Sequence, residues 1–240
     1  MKIFKFAVFP ILFAAVATTF QSCLDDNDET FDWRRPTALV TVCPTSDGSF
    51  VMRLDDNTTL VPDNMTQSPF KEKEVRAFVS YENVKTPAKS EIADEIHHVK
   101  VNWLDSIRTK MPVFTLGEED AIKYGNDPIE IINDWVTVAE DGYITLRVRT
   151  RWSNPTKRHS IDLVAGTNPD NPFEYVLRHN AEGDTYGPMG DALIAFNLNT
   201  LHNGSFEEPI TIKLNWQSFT GDKSSEFSLK LRPHDYESQL

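Results

Sequence analysis

Cysteine is scarce in this sequence of 240 residues, which contains Cys23 and Cys43 and no other. The Cys-x-x-Cys spacing of structural zinc sites is therefore missing. Cys43 follows an apolar stretch that begins at Ala38, and we expect it to be a buried core residue rather than a reactive thiol. Stability must then come from apolar burial, and a chain of this length can form two modest cores.

Basic residues are outnumbered, because 24 lysines and arginines face 36 acidic residues and give a formal net charge of −12. Proteins that bind nucleic acid neutralise phosphate groups with lysine and arginine. The composition opposes that chemistry, and we exclude nucleic acid as a partner.

Catalytic and metal-binding motifs are missing as well. The sequence has no His-Glu-x-x-His and no Gly-x-Ser-x-Gly. His97 and His98 are adjacent and would point to opposite faces of a strand, and the other four histidines fall in separate segments. We predict no catalytic residue, no metal and no cofactor. The paired carboxylates of a glycosidase are defined by a distance in space, so an enzyme without a recognisable motif stays open as an alternative.

Long amphipathic helices are also missing, because the dominant hydrophobic period is two rather than 3.6. In the second half, the residues predicted to face a core are Ile144, Leu146 and Val148; Ile210, Ile212, Leu214 and Trp216; and Phe227, Leu229 and Leu231. Strands with one buried and one solvated side are typical of antiparallel sheet. One short helix is predicted over Gly117–Tyr124, where three acidic residues suit a helix N-terminus.

Glycine-containing turns separate the predicted strands. Asp47-Gly48 and Asp141-Gly142 supply the positive φ that tight hairpins need. Five strands are predicted in the first half, at 37–43, 49–54, 58–61, 75–83 and 96–107. Seven are predicted in the second half, at 130–138, 143–152, 158–165, 173–179, 191–198, 209–217 and 225–232. Five strands favour a small OB-like barrel, and seven favour a β-sandwich.

The predicted fold is therefore all-β, with two domains. An OB-like domain is expected over 34–110 and a sandwich over 128–236. Between them, residues 111–127 are interpreted as a linker, because Pro112, Gly117 and Gly125 interrupt the strand pattern.

The N-terminus resembles a leader. Two lysines precede an apolar run over 6–20, which is shorter than the ~20 residues needed to span a bilayer and is typical of a secretory signal. Phe20-Gln21-Ser22-Cys23 resembles the lipobox of bacterial lipoproteins, with Phe20 where leucine is usual. The resemblance implies that residues 1–22 are removed and that Cys23 is acylated, which leaves Cys43 without a disulfide partner. The alternative is an ordinary secretory signal.

Residues 23–33 are interpreted as an acidic tether, with carboxylates at Asp25, Asp26, Asp28 and Glu29. Anionic headgroups repel such a segment, so it is not a membrane-binding patch. It resembles the surface-export signal of lipoproteins in some Gram-negative anaerobes. A single acyl chain anchors a protein marginally, at ~0.8 kcal/mol per methylene, whereas a triacylated cysteine anchors it stably. We predict a lipid-anchored protein of the outer membrane at the cell surface, with the periplasmic face as the alternative.

Several strings in the second half carry a family resemblance. They include Trp135-Val-Thr-Val, Gly142-Tyr-Ile-Thr-Leu-Arg-Val, Gly166-Thr-Asn-Pro-Asp-Asn-Pro and Asp191-Ala-Leu-Ile-Ala-Phe-Asn-Leu. With the lipoprotein leader, they resemble the NigD-like family of bacterial lipoproteins. The resemblance implies an N-terminal OB-type domain, a C-terminal immunoglobulin-like sandwich and no catalytic residues. Because the family takes its name from a bacteriocin gene cluster, the resemblance also implies a role in immunity to a bacteriocin.

A stripe of arginines is predicted on the outward side of one strand, at Arg147, Arg149 and Arg151. Cations are also predicted on the outward sides of other strands, at Lys213, Lys230 and Arg232. If these strands share a sheet, they form a docking face for an anionic partner. The alternative is a solvated sheet face on which these cations have cross-strand partners such as Asp162 or Glu174, and each pair contributes little energy.

The segment 178–190 is a candidate binding loop, because it joins charged and aromatic residues to three glycines between two predicted strands. Loops displayed from a rigid sandwich often carry binding residues. We expect Arg178 and Tyr186 to be anchors for a protein partner, together with Asp184. The alternative is structural, with Asp184 bonded to the loop backbone and Tyr186 covering the edge of the core.

Five tryptophans occur in or beside the predicted strands, at Trp33, Trp103, Trp135, Trp152 and Trp216. Exposed coplanar rings would bind glycans, whereas Trp103 and Trp216 share faces with apolar neighbours and are expected in a core. Asp105-Ser106-Ile107 resembles the O-glycosylation motif of some Gram-negative anaerobes, which makes Ser106 a candidate glycosylation site.

The sequence as a whole predicts a non-enzymatic binding protein of the cell envelope. Its partner is an unknown protein, with bacteriocin immunity as the specific form, and its membrane contact is the N-terminal lipid. A glycan-binding surface lipoprotein is the alternative.

Overall fold

The computed structural model describes residues 37–84, 95–201 and 208–232. The described residues belong to one compact unit. Cys23, the acidic tether and Trp33 lie outside the described residues. Both domains discussed below belong to that unit.

The first domain is a closed barrel. Its strands are β1 (Ala38–Pro44), β2 (Phe50–Arg53), β3 (Thr58–Pro62), β4 (Val75–Asn83) and β5 (Glu95–Ser106). They follow the order β1-β2-β3-β5-β4, and β1 closes the barrel by pairing antiparallel with β4. Only β3 and β5 are parallel neighbours in the described barrel. The five predicted strands are confirmed, with end points that agree to within one residue.

The second domain is a sandwich of two sheets. Its strands are β6 (Arg108–Lys110), β7 (Val113–Phe114), β8 (Glu130–Ile132), β9 (Val138–Glu140), β10 (Tyr143–Arg151), β11 (Ser160–Ala165), β12 (Glu174–Asn180), β13 (Met189–Asn197), β14 (Ile210–Ser218) and β15 (Gly221–Leu229). The first sheet has the order β6-β13-β10-β8, with β9 also paired to β10. The second sheet has the order β15-β14-β12-β11-β7. The prediction of an all-β chain with a small barrel and a sandwich is confirmed.

The sandwich core consists of the alternating side chains predicted from the sequence. Ile144, Leu146 and Val148 on β10 face Leu214 and Trp216 on β14, and all are buried in one cluster. The barrel has a separate core, which is formed mainly by valines, Met52 and Leu60.

The predicted helix is confirmed as a short 3₁₀ turn (Gly117–Glu119) followed by α1 (Asp120–Tyr124). The buried carboxylate of Asp120 accepts hydrogen bonds from the Leu116 amide at 2.7 Å and the Thr115 hydroxyl at 2.6 Å. These bonds hold the segment that leads into the helix against its first turn.

Three strand predictions need correction. The predicted strand over 130–138 is two strands, β8 and β9. A turn at Asp134 separates them, in which the Val136 amide donates to the Asp134 carboxylate and the Thr137 amide donates to the Asp134 carbonyl. The last predicted strand ends at Leu229 and begins at Gly221, after a tight turn. Residues 108–114, where no strand was predicted, contain β6 and β7, which add parallel to β13 and β11. The stretch 111–127, interpreted as a linker, therefore contributes β7 to the second sheet.

The barrel packs on the outer face of the first sheet. Leu39 and Ile107 form a small apolar cluster with Ala195 on β13. Tyr143 and Thr145 alternate with Ile144 and Leu146 and so share the side of β10 on which the arginine stripe was predicted. Both are fully buried, because the barrel covers this part of the sheet.

A buried polar network also joins the two domains. Arg76 on β4 is fully buried and donates to Thr145 at 3.3 Å, to Thr41 at 2.9 Å and, through Nη2, to Glu140. Its guanidinium lies 5.9 Å from the centre of the Tyr143 ring, within cation–π range. A buried arginine needs this many partners because an unpaired charge in the interior is costly.

Arg232, at the end of the described chain, forms the second part of this network. It donates to both carboxylate oxygens of Glu74, with Nη1 3.1 Å from Oε2, and its Nε lies 3.2 Å from Oδ1 of Asp141. Tyr143 also donates to Glu74. These contacts fix the orientation of the barrel relative to the sandwich, and with it the surfaces that lie along their junction.

Candidate functional site

The predicted arginine stripe lies on the outer face of β10, beyond the area that the barrel covers. Arg147 places Nη1 2.8 Å from Asp134 and Nη2 2.6 Å from Asp191, and Arg149 contacts both oxygens of Asp191 at 2.5 and 2.9 Å. The hydrogen bonds from Arg149 are the main reason why the pKa of Asp191 is lowered to about 2. We call the surface formed by Arg147, Arg149, Arg151 and Asp191 the arginine face.

Pairing across strands therefore occurs, and the arginines take Asp134 and Asp191 as partners. Of the two carboxylates predicted as partners, Glu174 pairs across strands with Lys213 at 3.3 Å, and Asp162 bonds to Lys110. The broader cationic face is wrong in part, because Lys213 lies on β14, in the opposite sheet from β10. Arg232 is half-buried in the domain junction with Glu74.

The third arginine connects the arginine face to the candidate loop. Nη1 of Arg151 donates to the Gly187 carbonyl at 2.9 Å, and the Trp152 amide donates to the Pro188 carbonyl at 3.0 Å. Gly187 has a φ of 97°, and a Cβ there would lie 2.6 Å from the Ser153 side chain. The loop between β12 and β13 therefore packs closely on the loop between β10 and β11.

Asp184 holds these two loops together. Its buried carboxylate accepts the Ser153 amide at 3.0 Å, the Ser153 hydroxyl at 2.5 Å and the Asn154 amide at 2.9 Å. The Ser153 and Asn154 hydrogen bonds keep the pKa of Asp184 well below its usual range. For this residue the geometry matches the structural alternative, a bond to loop backbone.

Tyr186 is 79% exposed at the tip of the same loop, so it does not cover the edge of the core. Trp152 is 50% exposed on the neighbouring loop, and Met189 is also exposed. Arg178 lies elsewhere, on β12 of the second sheet, where Nη1 donates to Asn126 at 2.6 Å. The structure thus brings Tyr186 and Asp184 near the arginine face, and it does not place Arg178 with them.

A histidine pair lies beneath the two loops. Nδ1 of His159 is 3.0 Å from Nε2 of His179, and Nε2 of His159 is 3.5 Å from Asp184. Nδ1 of His179 faces the Pro128 carbonyl at 3.3 Å, which makes that nitrogen the protonated one. Burial, and then the neighbouring His159, lower the pKa of His179. Sequence spacing did not predict this pair, and only the register of β11 against β12 would have indicated it.

A cleft of about 280 Å³ opens beside the pair. Its wall combines Trp152 and His159 with Ile161 and Leu193, and Arg108 and Lys157 also line it. The cleft is apolar with cations among its lining residues, and it brings no close cluster of carboxylates and histidines together.

A second opening, of about 520 Å³, lies between the domains at the other end of the arginine face. Phe78 of the barrel and Trp135 of the sandwich meet there, with ring centres 5.7 Å apart and planes inclined by 50°. Arg147 and Asp191 complete the lining. Trp135 is 58% exposed, so this aromatic notch is open to solvent.

The remaining predicted residues are dispersed. Trp216 is buried in the sandwich core and Trp103 is half-buried on β5. Ser106 is exposed at the end of β5.

Cys43 is half-buried at the domain junction rather than in an apolar core, with Sγ 3.7 Å from Nη1 of Arg232. Burial raises the pKa of its thiol to about 12.

Residues 37–84, 95–201 and 208–232 contain no group of three or more histidine, cysteine, aspartate or glutamate side chains arranged to hold a metal ion. In the same ranges, no helix has the length and apolar character needed to cross a bilayer.

Comparison with known families gives two adjoining matches. Residues 39–107 match the NigD-like N-terminal OB domain, and residues 112–229 match the NigD-like C-terminal beta sandwich domain. Comparison with curated proteins gives no match.

Solved structures with a similar fold include proteins from Parabacteroides and Bacteroides species. A toxin-related protein from Parabacteroides distasonis is 28% identical, with a TM-score of 0.64 over 80% of this chain and 92% of that one. A NigD-like immunity protein from Bacteroides caccae is 19% identical, with a TM-score of 0.55 over 79% of this chain and 90% of that one. A lipoprotein from Bacteroides fragilis is 14% identical, with a TM-score of 0.53 over 82% of this chain and 98% of that one.

Proposed function

The chain belongs to the NigD-like family, and on that premise we propose that it is a lipid-anchored envelope protein that binds another protein without catalysing a reaction. Its specific role in this proposal is immunity to a bacteriocin. The name of the Bacteroides caccae relative supports the immunity role, and the name of the Bacteroides fragilis protein supports the lipid anchor.

The observation that carries the proposal is the exposure of large aromatic side chains along one continuous surface. Tyr186 and Trp152 lie at one end of the arginine face and Trp135 at the other. Aromatic residues and arginine are enriched where proteins bind each other, and tyrosine and tryptophan most often carry the binding energy. Asp184 holds the loops together and Arg76 holds the domains together, so little conformational freedom is lost when a partner binds.

The pairing of Arg147 and Arg149 with Asp191 also fits a recognition surface. Guanidinium groups that are already fixed by a carboxylate present their remaining N–H donors in a defined direction. A partner carboxylate can therefore bind without ordering flexible side chains first.

A gene deletion tests the immunity role. We expect cells without the gene to become sensitive to a bacteriocin from related strains, and the wild-type gene to restore survival. A double variant, Tyr186→Ala with Trp152→Ala, should fail to restore survival at equal abundance. Ile122→Ala is the matched control, because Ile122 is 84% exposed on α1, away from the arginine face. Killing that is unchanged by the deletion across a broad toxin panel would remove the immunity role.

The anchor is tested separately. Growth with labelled palmitate should label the wild-type chain and the Cys43→Ser variant, and it should not label Cys23→Ser. Protease treatment of intact cells should degrade the protein if it faces the medium. Protection in intact cells together with digestion after outer-membrane disruption would place it on the periplasmic side.

Glycan binding is the second candidate, favoured by the aromatic notch. An exposed tryptophan beside a carboxylate and a guanidinium provides a stacking face with hydrogen-bonding groups, as sugars require. Phe78 and Trp135 are inclined to each other, so they do not form the coplanar platform of an extended sugar-binding site. Screening immobilised polysaccharides against the wild type and Trp135→Ala decides the matter: selective retention that depends on Trp135 would favour the glycan role.

A further inference from the structure

A third opening, the largest of the three described here, lies on another side of the domain junction. It is a cleft of about 870 Å³ between the segment 69–75, which leads into β4, and the segment 106–111, which includes β6. Its volume lies within the range of binding clefts, and the one lining residue that it shares with the cleft beside Trp152 is Arg108. We call it the lysine cleft.

The lysine cleft is cationic on a chain whose net charge is −12. Lys71, Lys73 and Arg108 line it, and within residues 37–84, 95–201 and 208–232 none of the three forms an ion pair. Glu74, a carboxylate in the lining, is engaged by Arg232, whose hydrogen bonds and charge lower its pKa against the effect of burial. The three cations therefore have no internal counterion in the part of the chain described.

The backbone at Lys71 is strained. Its φ is 60°, one of three positive values among the non-glycine residues described. The other two, at Asp141 and Glu182, each precede a glycine in a turn. A left-handed lysine is unfavourable relative to its preferred conformation, and such outliers concentrate at functional sites. The strained residue belongs to the lining of the cleft.

The rest of the lining is apolar and adaptable. Phe70 and Met111 belong to it, and Met111 is exposed. Methionine is common on surfaces that accommodate peptide side chains, whereas sugar sites rely on tryptophan or tyrosine, which this lining lacks. β6 is the edge strand of its sheet, and all three of its residues line the cleft.

We propose that the lysine cleft binds an acidic, partly apolar peptide segment of a partner protein. Lys71, Lys73 and Arg108 would contact its carboxylates, and Phe70 and Met111 its apolar side chains. On a chain with a net charge of −12, the cationic lining of the cleft attracts such a segment locally. The inference rests on the proposed role as a protein-binding protein, and it names the chemistry of the partner.

A direct binding measurement tests the proposal. The full chain, purified in detergent, is titrated into a short labelled peptide of glutamate, glycine and leucine, and fluorescence anisotropy is followed. We expect saturable binding that weakens as salt is added, because the contacts are between exposed charges. A peptide with glutamine in place of glutamate should not bind.

The variants are matched in charge and residue type. The triple variant Lys71→Gln, Lys73→Gln and Arg108→Gln should bind the acidic peptide at least about tenfold more weakly. The control triple Lys100→Gln, Lys123→Gln and Arg158→Gln removes the same three charges from exposed positions outside the cleft, and it should bind like the wild type. Lys71→Asn alone should weaken binding and leave the thermal midpoint equal or raised, because asparagine tolerates a positive φ.

Three results would overturn the proposal. They are equal binding by the two triple variants, equal binding of the glutamine peptide, and retention of a sulfated dextran by the cleft in place of the peptide. The outcome is independent of the immunity test, because Tyr186→Ala with Trp152→Ala should still bind the acidic peptide. If that double variant loses immunity but still binds the acidic peptide, its defect lies at the exposed aromatic residues and not in the lysine cleft.

Discussion

Arg53, in the barrel, places its Nε 2.7 Å from Oδ1 of Asp141, in the turn between two strands of the sandwich. The backbone amide of Asp141 donates to Asp56, also in the barrel, at 2.9 Å. Asp141 is fully buried, and its φ of 50° belongs to the hairpin turn that Gly142 completes. One tight turn of the sandwich therefore serves as the attachment point for the barrel.

Arg76 gives the first prediction. Arg76→Met should lower the free energy of unfolding by about 3 kcal/mol, because it leaves the partly buried Glu140 without its counterion. Chemical denaturation measures the change. Arg149→Met, at an exposed ion pair on the arginine face, is the control and should cost far less stability.

A double variant separates charge from packing in the same network. Adding Glu140→Gln to Arg76→Met should recover part of the lost stability, since the uncompensated carboxylate is removed together with its partner. If the two changes were simply additive, Glu140 would not be the group that makes the single variant costly.

The hairpin glycine gives the second prediction. Gly142 has a φ of 74°, and a Cβ there would lie 1.8 Å from Oδ1 of Asn199. Asn199 cannot move freely, because it accepts the Arg232 amide at 2.8 Å and donates to the Asp141 carbonyl at 3.2 Å. Gly142→Ala should therefore cost about 3 kcal/mol, the sum of a left-handed alanine and displaced hydrogen bonds.

Gly48 is the matched control for that variant. It also sits in a hairpin turn, with a φ of 85°, but a Cβ there meets nothing within 4 Å. Gly48→Ala should cost only about 1 kcal/mol, from the backbone conformation alone. Equal losses in the two variants, measured by denaturant unfolding, would show that the contact with Asn199 is unimportant.

The parts of the fold that the sequence predicts are those with a local signal. β10 and β14 alternate over nine residues each, and such a pattern defines both a strand and its buried side. β6 and β7 have three and two residues, which is too short for any periodicity. They become strands because β13 and β11 offer free edges, a condition that depends on the assembled sheets.

In the candidate site, too, some features follow from a local sequence pattern and others depend on the assembled sheets. The outward direction of Arg147 and Arg149 follows from alternation, whereas their partner, Asp191, follows from the register of β10 against β13. The burial of Tyr143 and Thr145 was not predictable from their own strand, because a separate domain covers them. The lysine cleft likewise joins segments that are more than thirty residues apart in the chain, and no local pattern marks it.

His179 gives the third prediction, on pH. Burial lowers its pKa in the folded protein below the value of about 6.5 that it has when unfolded. Between the two values the unfolded chain binds the proton and the folded chain does not. The stabilising contribution of His179 is therefore complete above about pH 6.5 and is lost progressively as the pH falls below it.

Unfolding free energies measured between pH 8 and pH 5 check this. His159 and the carboxylates of Asp127 and Asp184 lie near the ring, and the wild-type slope includes all of them. The difference in unfolding free energy between the wild type and His179→Gln isolates the contribution of His179. This difference should shrink as the pH falls through 6.5. Asp184 contributes a separate loss only at much lower pH, since its own pKa lies well below the usual range. A difference that stays constant with pH would contradict a neutral buried His179.

Cys43 gives the last prediction, on reactivity. Burial raises the pKa of its thiol to about 12, so at pH 8 the thiolate fraction is smaller by roughly three orders of magnitude than that of an ordinary cysteine. Because the thiolate is the reactive form, a Cys23→Ser chain should resist iodoacetamide while folded and react rapidly in denaturant. Introducing Ser46→Cys, at an exposed turn next to the same strand, supplies the control thiol. Labelling of folded Cys43 at a rate close to that of the control would mean that the domain junction opens, and the buried network around Glu74 and Arg232 would then not hold the two domains as described.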